Sequence, residues 1–271
     1  MLSVIVPASN EAGYIGACLS AIFASGPTKA EVIVVANGCR DATADVARSF
    51  EAQATAAGWR LRVLDLPQGG KPNALNAGDA LAQGDLRAYV DADVVVTPEL
   101  MAQLIAALAV PQPRYVAATP RIPKPRSRIT RAYARFWQRL PFAQSKAAGF
   151  GLFAVNQAGR ARWGTFPAII SDDTFVRLQF EPNEREQIAA RYDWPMIEGF
   201  GALVRVRRRQ NLGVAEIARL YPTLLAREGK PPLGTAKLLR IGLGDPLGFA
   251  TYCAVAVAVK MGKSAGWTRG R

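Results

Sequence analysis

Two pairs of acids are the residues whose types and spacing most invite chemistry. The run Arg87-Ala-Tyr-Val-Asp-Ala-Asp-Val-Val-Val96 has the β-branched, apolar character of a buried strand, interrupted by Asp91 and Asp93. Carboxylates at i and i+2 are tolerable only where the strand ends and the sheet opens into a crevice. Converging on a divalent cation, they could hold a diphosphate through it, because Mg2+ and Mn2+ take oxygen ligands and share them with substrate phosphates. A strand ending in a polar turn explains the same pattern, so the Asp-x-Asp alone does not decide. The second pair stands in Ile169-Ile-Ser-Asp-Asp-Thr-Phe-Val-Arg177. As a motif it reads equally as the start of a helix, with Ser171 or Asp172 as N-cap and Asp173 favoured by the helix dipole.

Composition narrows the partners. The 34 Lys and Arg against 21 Asp and Glu leave a net charge of +13, which favours polyanions without choosing among nucleotide diphosphates, nucleic acid and an anionic membrane. The sequence has no His, so imidazole is excluded as base or metal ligand and any chemistry falls to Asp, Glu, Lys, Tyr and Cys. Cys18, Cys39 and Cys253 are too widely spaced for a zinc motif or a disulfide framework, which suits a reducing cytoplasm. Met1 to Pro7 is too short, and lacks the basic flank, for a signal peptide, and reads as a first strand.

Positioning the acids falls to strands alternating with helices. Apolar runs at Ser3 to Val6, Glu31 to Ala36 and Arg60 to Leu66 precede helical patterns beginning near Ile15, Thr43 and Asn73, and the run around Asp91 is followed by a helix with Pro98 near its first position. Such alternation implies right-handed crossovers, a mostly parallel Rossmann-like sheet flanked by helices, and ligands at the carboxyl ends of the strands. The loops there carry Asn10, Glu11, Asn37, Asp41 and Lys71. Lys71 and the helix N-termini can meet negative charge, and Asp41 could accept from a base edge or a ribose hydroxyl. Gly69-Gly70-Lys71 lacks the P-loop spacing, which disfavours an ATPase.

Four segments together resemble the nucleotide-sugar-binding half of family 2 glycosyltransferases with the GT-A fold. They are Val4-Ile-Val-Pro-Ala-Ser-Asn-Glu11, Val34-Val-Ala-Asn-Gly-Cys-Arg-Asp-Ala-Thr43, Gly70-Lys-Pro-Asn-Ala-Leu-Asn-Ala-Gly78 and Tyr89-Val-Asp-Ala-Asp93, in matching order and spacing. The resemblance implies that Pro7, Ala8, Asn10 and Glu11 line a nucleoside pocket, and that Asn37 belongs to the same loop set. It implies further that Asp41 contacts the base, that Lys71 lies near the nucleotide, and that Asp91, Ala92 and Asp93 form the site for a sugar diphosphate and Mn2+ or Mg2+. Asp93 is its more direct metal ligand. It casts Asp173 as general base, with Asp172 standing where the family often has Glu. The implied activity is transfer, with inversion, of one sugar from a nucleotide-diphosphate sugar to a hydroxyl acceptor. Where processive members of the family carry Gln-x-x-Arg-Trp, this chain has Arg205-x-x-Arg208-Arg209, which disfavours processivity and makes Arg208 and Arg209 the candidates for the pyrophosphate.

The resulting division is a donor-binding half over 1–110, an acceptor and catalytic half over 111–200 and a helical, basic extension over 201–271. Pro111 to Arg128 reads as an exposed Pro- and Arg-rich linker or a loop over the site. Ile129 to Leu140 reads as an amphipathic helix, packed on the sheet with Arg outward or touching membrane or acceptor. The uncharged Pro246 to Val259 is too short to span a bilayer. With Lys260, Lys263, Arg269 and Arg271 it could dock on an anionic leaflet, placing the protein in the cytoplasm at the inner membrane face, while a core helix explains it as well. No nucleic acid is expected as partner. Two other readings remain: a nucleic-acid or anionic-surface binding protein, suggested by the charge, and a nucleotidyltransferase on the same kind of sheet.

Overall fold

The computed structural model describes residues 1–26, 30–229 and 233–261. Strands and helices alternate from the start: β1 (Leu2–Ala8), α1 (Ile15–Ala24), β2 (Ala30–Asn37), α2 (Thr43–Arg48), α3 (Glu51–Ala56), β3 (Trp59–Leu66), α4 (Lys71–Leu81) and β4 (Leu86–Val90). There follow β5 (Val95–Val96), α5 (Leu100–Leu108), β6 (Tyr115–Arg121), α6 (Arg128–Trp137), β7 (Leu152–Val155), α7 (Gln157–Arg160), α8 (Asp172–Arg177) and β8 (Arg185–Asp193). Three helices, α9 (Phe200–Leu220), α10 (Thr235–Leu243) and α11 (Pro246–Met261), complete the described chain. Two compact units result: a sheet unit of Met1–Arg121, Gly149–Ala168 and Asp172–Trp194, and a helical unit of Ile122–Ala148, Ile169–Ser171 and Pro195–Arg271.

The sheet unit holds one eight-stranded sheet in the order β3-β2-β1-β4-β7-β6-β8-β5. Its first four strands are parallel, as the alternation predicts. Beyond β4 the sheet is mixed, because β7 runs antiparallel to β4 and β6, and β8 is parallel to β6 but antiparallel to β5. β2 is buried along its whole length. Val32 and Val34 pack with Cys18, Leu19 and Ile22 of α1, whereas Ile33 and Val35 face the other way onto Ala74 of α4. A strand covered on both faces therefore reads as a continuous apolar run. α4 lies so close to the sheet that a Cβ at Gly78 would come within 2.6 Å of Ile5 Cγ2, an approach only glycine permits.

Several expected boundaries change. The run around Asp91 is two strands, β4 and β5, separated by a turn in which Val94 N donates to Asp91 O at 3.1 Å. The helix expected from Thr43 breaks at Ser49 and Phe50 into α2 and α3, and Pro98 stands just before α5, with Glu99 as N-cap, instead of inside its first turn. The stretch expected as an exposed linker contains β6, whose first four residues are buried between β7 and β8. Its Pro120 and Arg121 still pair in register with Tyr192 and Asp193, so Pro and Arg at one end concealed a strand whose other end, Tyr115-Val-Ala-Ala118, is apolar.

In the helical unit, Ser127 caps α6 by accepting from Thr130 N at 3.3 Å. The apolar side of α6 rests on α11, where Tyr133 and Phe136 meet Tyr252 with ring centroids 5.7 and 5.2 Å apart. Asp245 joins the two helices. It accepts from Arg135 Nε at 2.7 Å and Nη2 at 2.6 Å, and also from Gly248 N at 3.0 Å in the first turn of α11; the Arg135 hydrogen bonds hold its carboxyl below the usual range. No helix of the described residues is long and apolar enough to cross a membrane.

Candidate functional site

The loops at the carboxyl ends of β1 and β2 are tied together by side chains. Asn10, in the left-handed region at φ 58°, accepts from Arg40 N at 2.7 Å. Glu11 N donates to Thr43 Oγ1 at 2.8 Å, and Ala12 N to Asp41 Oδ2 at 3.1 Å. Against a burial cost, the Thr43 hydroxyl and the amides of Ala12 and Thr43 hold the Asp41 carboxyl below its ordinary value. Asn37 is buried, and its amide is committed to three backbone groups: Nδ2 donates to Ala8 O at 2.9 Å and Val35 O at 3.2 Å, while Oδ1 accepts from Gly70 N at 3.0 Å. It thus links the ends of β1 and β2 to the residue before Lys71. Lys71 itself opens α4 and does not lie in the loop after β3.

Lys71 is the centre of a charge cluster. Its Nζ lies 2.9 Å from Asp91 Oδ1 and 3.1 Å from Asp172 Oδ2. These three residues, Asp173, Pro7 and Gly151 line one recess. Gly151 closes one side by accepting from Asp91 N at 2.8 Å. Burial opposes the charge on Lys71, but the carboxylates of Asp172, Asp91 and Asp173 outweigh it and push the ammonium pKa up. The Asp172 side chain is only 6% exposed. Its pKa is pushed up to about 6 by burial, with Lys71 pulling down and the charges of Asp173 and Asp91 adding to the rise. Asp173 is half-buried, its Oδ1 accepting from Thr174 N at 2.6 Å in the first turn of α8. The adjacent acids therefore differ: one is enclosed and ion-paired, the other stands at the helix start beside the recess.

Ala92 is buried in the turn after β4 and Asp93 is half-buried beside it. Asp93 is not among the described lining residues of the recess, whereas Asp91 is. A buried thiol, Cys18 of α1, locates the acids of this turn: its pKa is pushed far up by burial and then by the charges of Asp93, Asp91 and Glu11. These carboxylates supply the hard oxygen donors that Mn2+ or Mg2+ prefers. Among the described residues no group of three or more His, Cys, Asp or Glu could by itself hold a metal.

Sequence reasoning missed the Lys71–Asp172 contact, which joins residues 101 positions apart with no local signal. It also passed over Asn76, whose amide accepts from Phe166 N at 2.7 Å and donates to Phe166 O at 3.0 Å, fixing that segment against α4. Arg208 and Arg209 lie in α9 of the helical unit. There Arg208 donates to Val259 O at 3.3 Å and Ala258 O at 2.5 Å, the terminal carbonyls of α11.

The profile described as Glycosyl transferase family 2 matches residues 3–163, the stretch that supplies Pro7, Lys71, Asp91 and Gly151. The chain belongs to that family. The family 2 chain is 36% identical over 94 residues to glycosyltransferase AglE of Haloferax volcanii, covering 34% of this chain and 30% of AglE. It is 28% identical over 104 residues to an uncharacterized glycosyltransferase of Nostoc sp., covering 38% and 31%. The matched stretch thus spans about three tenths of these relatives' length. Among solved structures, the mannosyltransferase PcManGT from Pyrobaculum calidifontis, in complex with GDP-Man and Mn2+, superposes with a TM-score of 0.61 at 23% identity, over 97% of this chain and 76% of that one. S. aureus TarS 1–349 in complex with UDP-GlcNAc gives 0.57 at 17% identity, over 95% and 81%. These likenesses establish the GT-A fold of the family 2 chain.

Proposed function

We propose that this family 2 protein moves one sugar from a nucleoside-diphosphate sugar to a hydroxyl acceptor, with inversion and with a divalent cation. The observation that carries the reading is the convergence of Lys71, Asp91, Asp172 and Asp173 on one recess of the sheet unit. Three carboxylates around one ammonium repel a bare diphosphate, so donor binding there calls for added positive charge. Asp91 and Asp93 would hold Mn2+ or Mg2+, which when bound supplies neutralisation of the leaving diphosphate. Pro7, Ala8, Asn10, Glu11 and Asp41 bound the nucleoside, with Asn37 holding their loops in place. PcManGT was solved with GDP-Man and Mn2+, and TarS with UDP-GlcNAc, which supports a nucleotide-sugar donor without choosing its base.

Asp173 takes the proton from the acceptor hydroxyl as its oxygen attacks the anomeric carbon, and the nucleoside diphosphate departs from the opposite face. A carboxylate of ordinary basicity works here through position, since the hydroxyl grows more acidic as the new bond forms. Lys71 compensates the enclosed Asp172 and Asp91 before the donor arrives, and its flexible ammonium can turn to the diphosphate when it does. Arg208, engaged with α11, is given no donor contact.

The test is a thermal-shift panel of UDP-, GDP- and TDP-sugars with and without Mn2+, on wild type and Asp93→Ala. One nucleotide should stabilise the wild type only with Mn2+, by about 2.7 kcal/mol at 100 times its Kd, and should fail to do so in Asp93→Ala. No shift with any nucleotide sugar would overturn the reading.

A further inference from the structure

α11 presents to solvent the residues that a water-facing helix fills with charge. Leu247, Ala250, Ala254, Val257 and Met261 are all exposed, Leu247 at 67% and Met261 at 81%. Their spacing of three, four, three and four residues places them on one stripe. The opposite side of the helix is already used, with Phe249 and Tyr252 against α6. Lys260 is the one charged residue of α11. The neighbouring α10 also exposes leucines: Leu239 and Leu243, one turn apart, are 58% and 83% exposed. Lys237, Arg240 and Lys260, all exposed, flank this apolar surface. α10 barely buries anything else: Gly242, seated against Phe249, is its one buried residue.

We infer that this face of the helical unit docks on the surface of an anionic lipid bilayer. Sixteen residues of α11 rise about 24 Å, short of a bilayer core of about 30 Å, so the helix lies on the membrane and does not span it. Charge selects the occupant. By sequence the helical unit carries 20 Lys and Arg against four Asp and Glu, a net +16, whereas the sheet unit carries 14 against 17, a net −3. A second copy laid against the same face would bring two such positive units together. An anionic leaflet accepts both the leucines, below the headgroups, and the basic flank, among them. Of the basic residues expected to take part, Lys263, Arg269 and Arg271 lie outside the described residues; Lys237, Arg240 and Lys260 supply the described basic flank.

Flotation of the full chain with neutral phosphatidylcholine vesicles, and with vesicles containing three tenths phosphatidylglycerol, tests this without donor or metal, so its failure is distinct from failure of the proposed transfer. The wild type should float with the anionic vesicles and not the neutral ones. Leu239→Ser/Leu243→Ser/Leu247→Ser should lower the partition coefficient at least tenfold with an unchanged unfolding midpoint, and Lys237→Gln/Arg240→Gln/Lys260→Gln should remove the preference for anionic lipid. Wild type left unbound at low salt, or serine variants that float as well as wild type, would overturn the inference. So would a wild-type dimer that the serine changes dissociate while no vesicles are bound.

Discussion

By sequence the sheet unit holds 14 Lys and Arg against 17 Asp and Glu, and the helical unit 20 against four. The protein's +13 is therefore not a property of the recess where anionic chemistry is proposed. There three carboxylates surround Lys71, and local charge is negative. The units also treat apolar residues oppositely. In the sheet unit β2 is enclosed on both faces, while in the helical unit the aliphatic stripe of α11 and the leucines of α10 stay in solvent. Overall net charge thus says little about where an anion binds. In this chain it marks the unit proposed to lie against a surface, and the unit proposed to handle a diphosphate is the one that would need a cation to do so.

The largest effect that would break this comparison is on turnover. Asp173→Asn should lower kcat about 100-fold or more, the usual worth of a positioned general base, while the Mn2+-dependent nucleotide shift persists. If kcat is unaltered, the acidic recess is not the reacting end of the site. Next is the cost of removing the ammonium from its ring of carboxylates. Lys71→Met should destabilise by about 2 kcal/mol at pH 8, below the full cost of breaking a buried pair because Lys71 is one-third exposed. Adding Asp172→Asn should recover most of that loss. Urea unfolding of the two single variants and the double variant measures the coupling, and additive losses would mean that the recess is not one electrostatic unit.

How far this arrangement could be read in advance depended on the range of the interactions. The parallel strands were legible because burial on both faces writes an uninterrupted apolar run such as Val32 to Val35. Four loop segments in order disclosed the edge where the acids gather. β6 was obscured because Pro120 and Arg121, suited to an exposed tail, share a strand with buried Tyr115 and Val116. Most obscure was the difference between Asp172 and Asp173. Adjacent in sequence and identical in type, they diverge only because α8 turns one toward Lys71, and contacts between distant segments leave no local pattern. The exposed stripe of α11 was hidden for the same reason, since an apolar helix reads alike whether one face or both are covered.

A smaller effect sharpens the contrast between those two acids. Asp172, with a pKa raised to about 6 from its ordinary 3.8, keeps a proton in the folded state that the unfolded chain has lost between those values. Stability from this group is therefore fully present below about pH 4, declines as pH rises toward 6, and is level above it. In chelator, without donor, the stability of wild type relative to Asp172→Asn should fall on the order of 1 kcal/mol per pH unit across that window. Urea unfolding at pH 4, 5, 6 and 7 reads the slope. A relative stability that rises with pH would mean that Lys71, not burial, dominates the carboxyl.

The smallest effect concerns the basic run of α9, which could serve either unit's character. Were it a phosphate-binding strip, its arginines would face outward. Instead Arg207 donates to Tyr133 Oη at 3.1 Å, and Arg208 reaches the carbonyls of Ala258 and Val259. Carbonyls in the last turn of a helix sit at the negative end of its dipole, so a guanidinium is favourably placed there. Arg208→Ala should accordingly cost about 1 kcal/mol and speed amide exchange in the last turn of α11, with donor Kd unchanged. A tenfold weaker donor Kd with unaltered exchange would assign Arg208 to the diphosphate. The positive charge of α9 would then belong to donor binding, and the separation between a reacting sheet unit and a docking helical unit would fail at that helix.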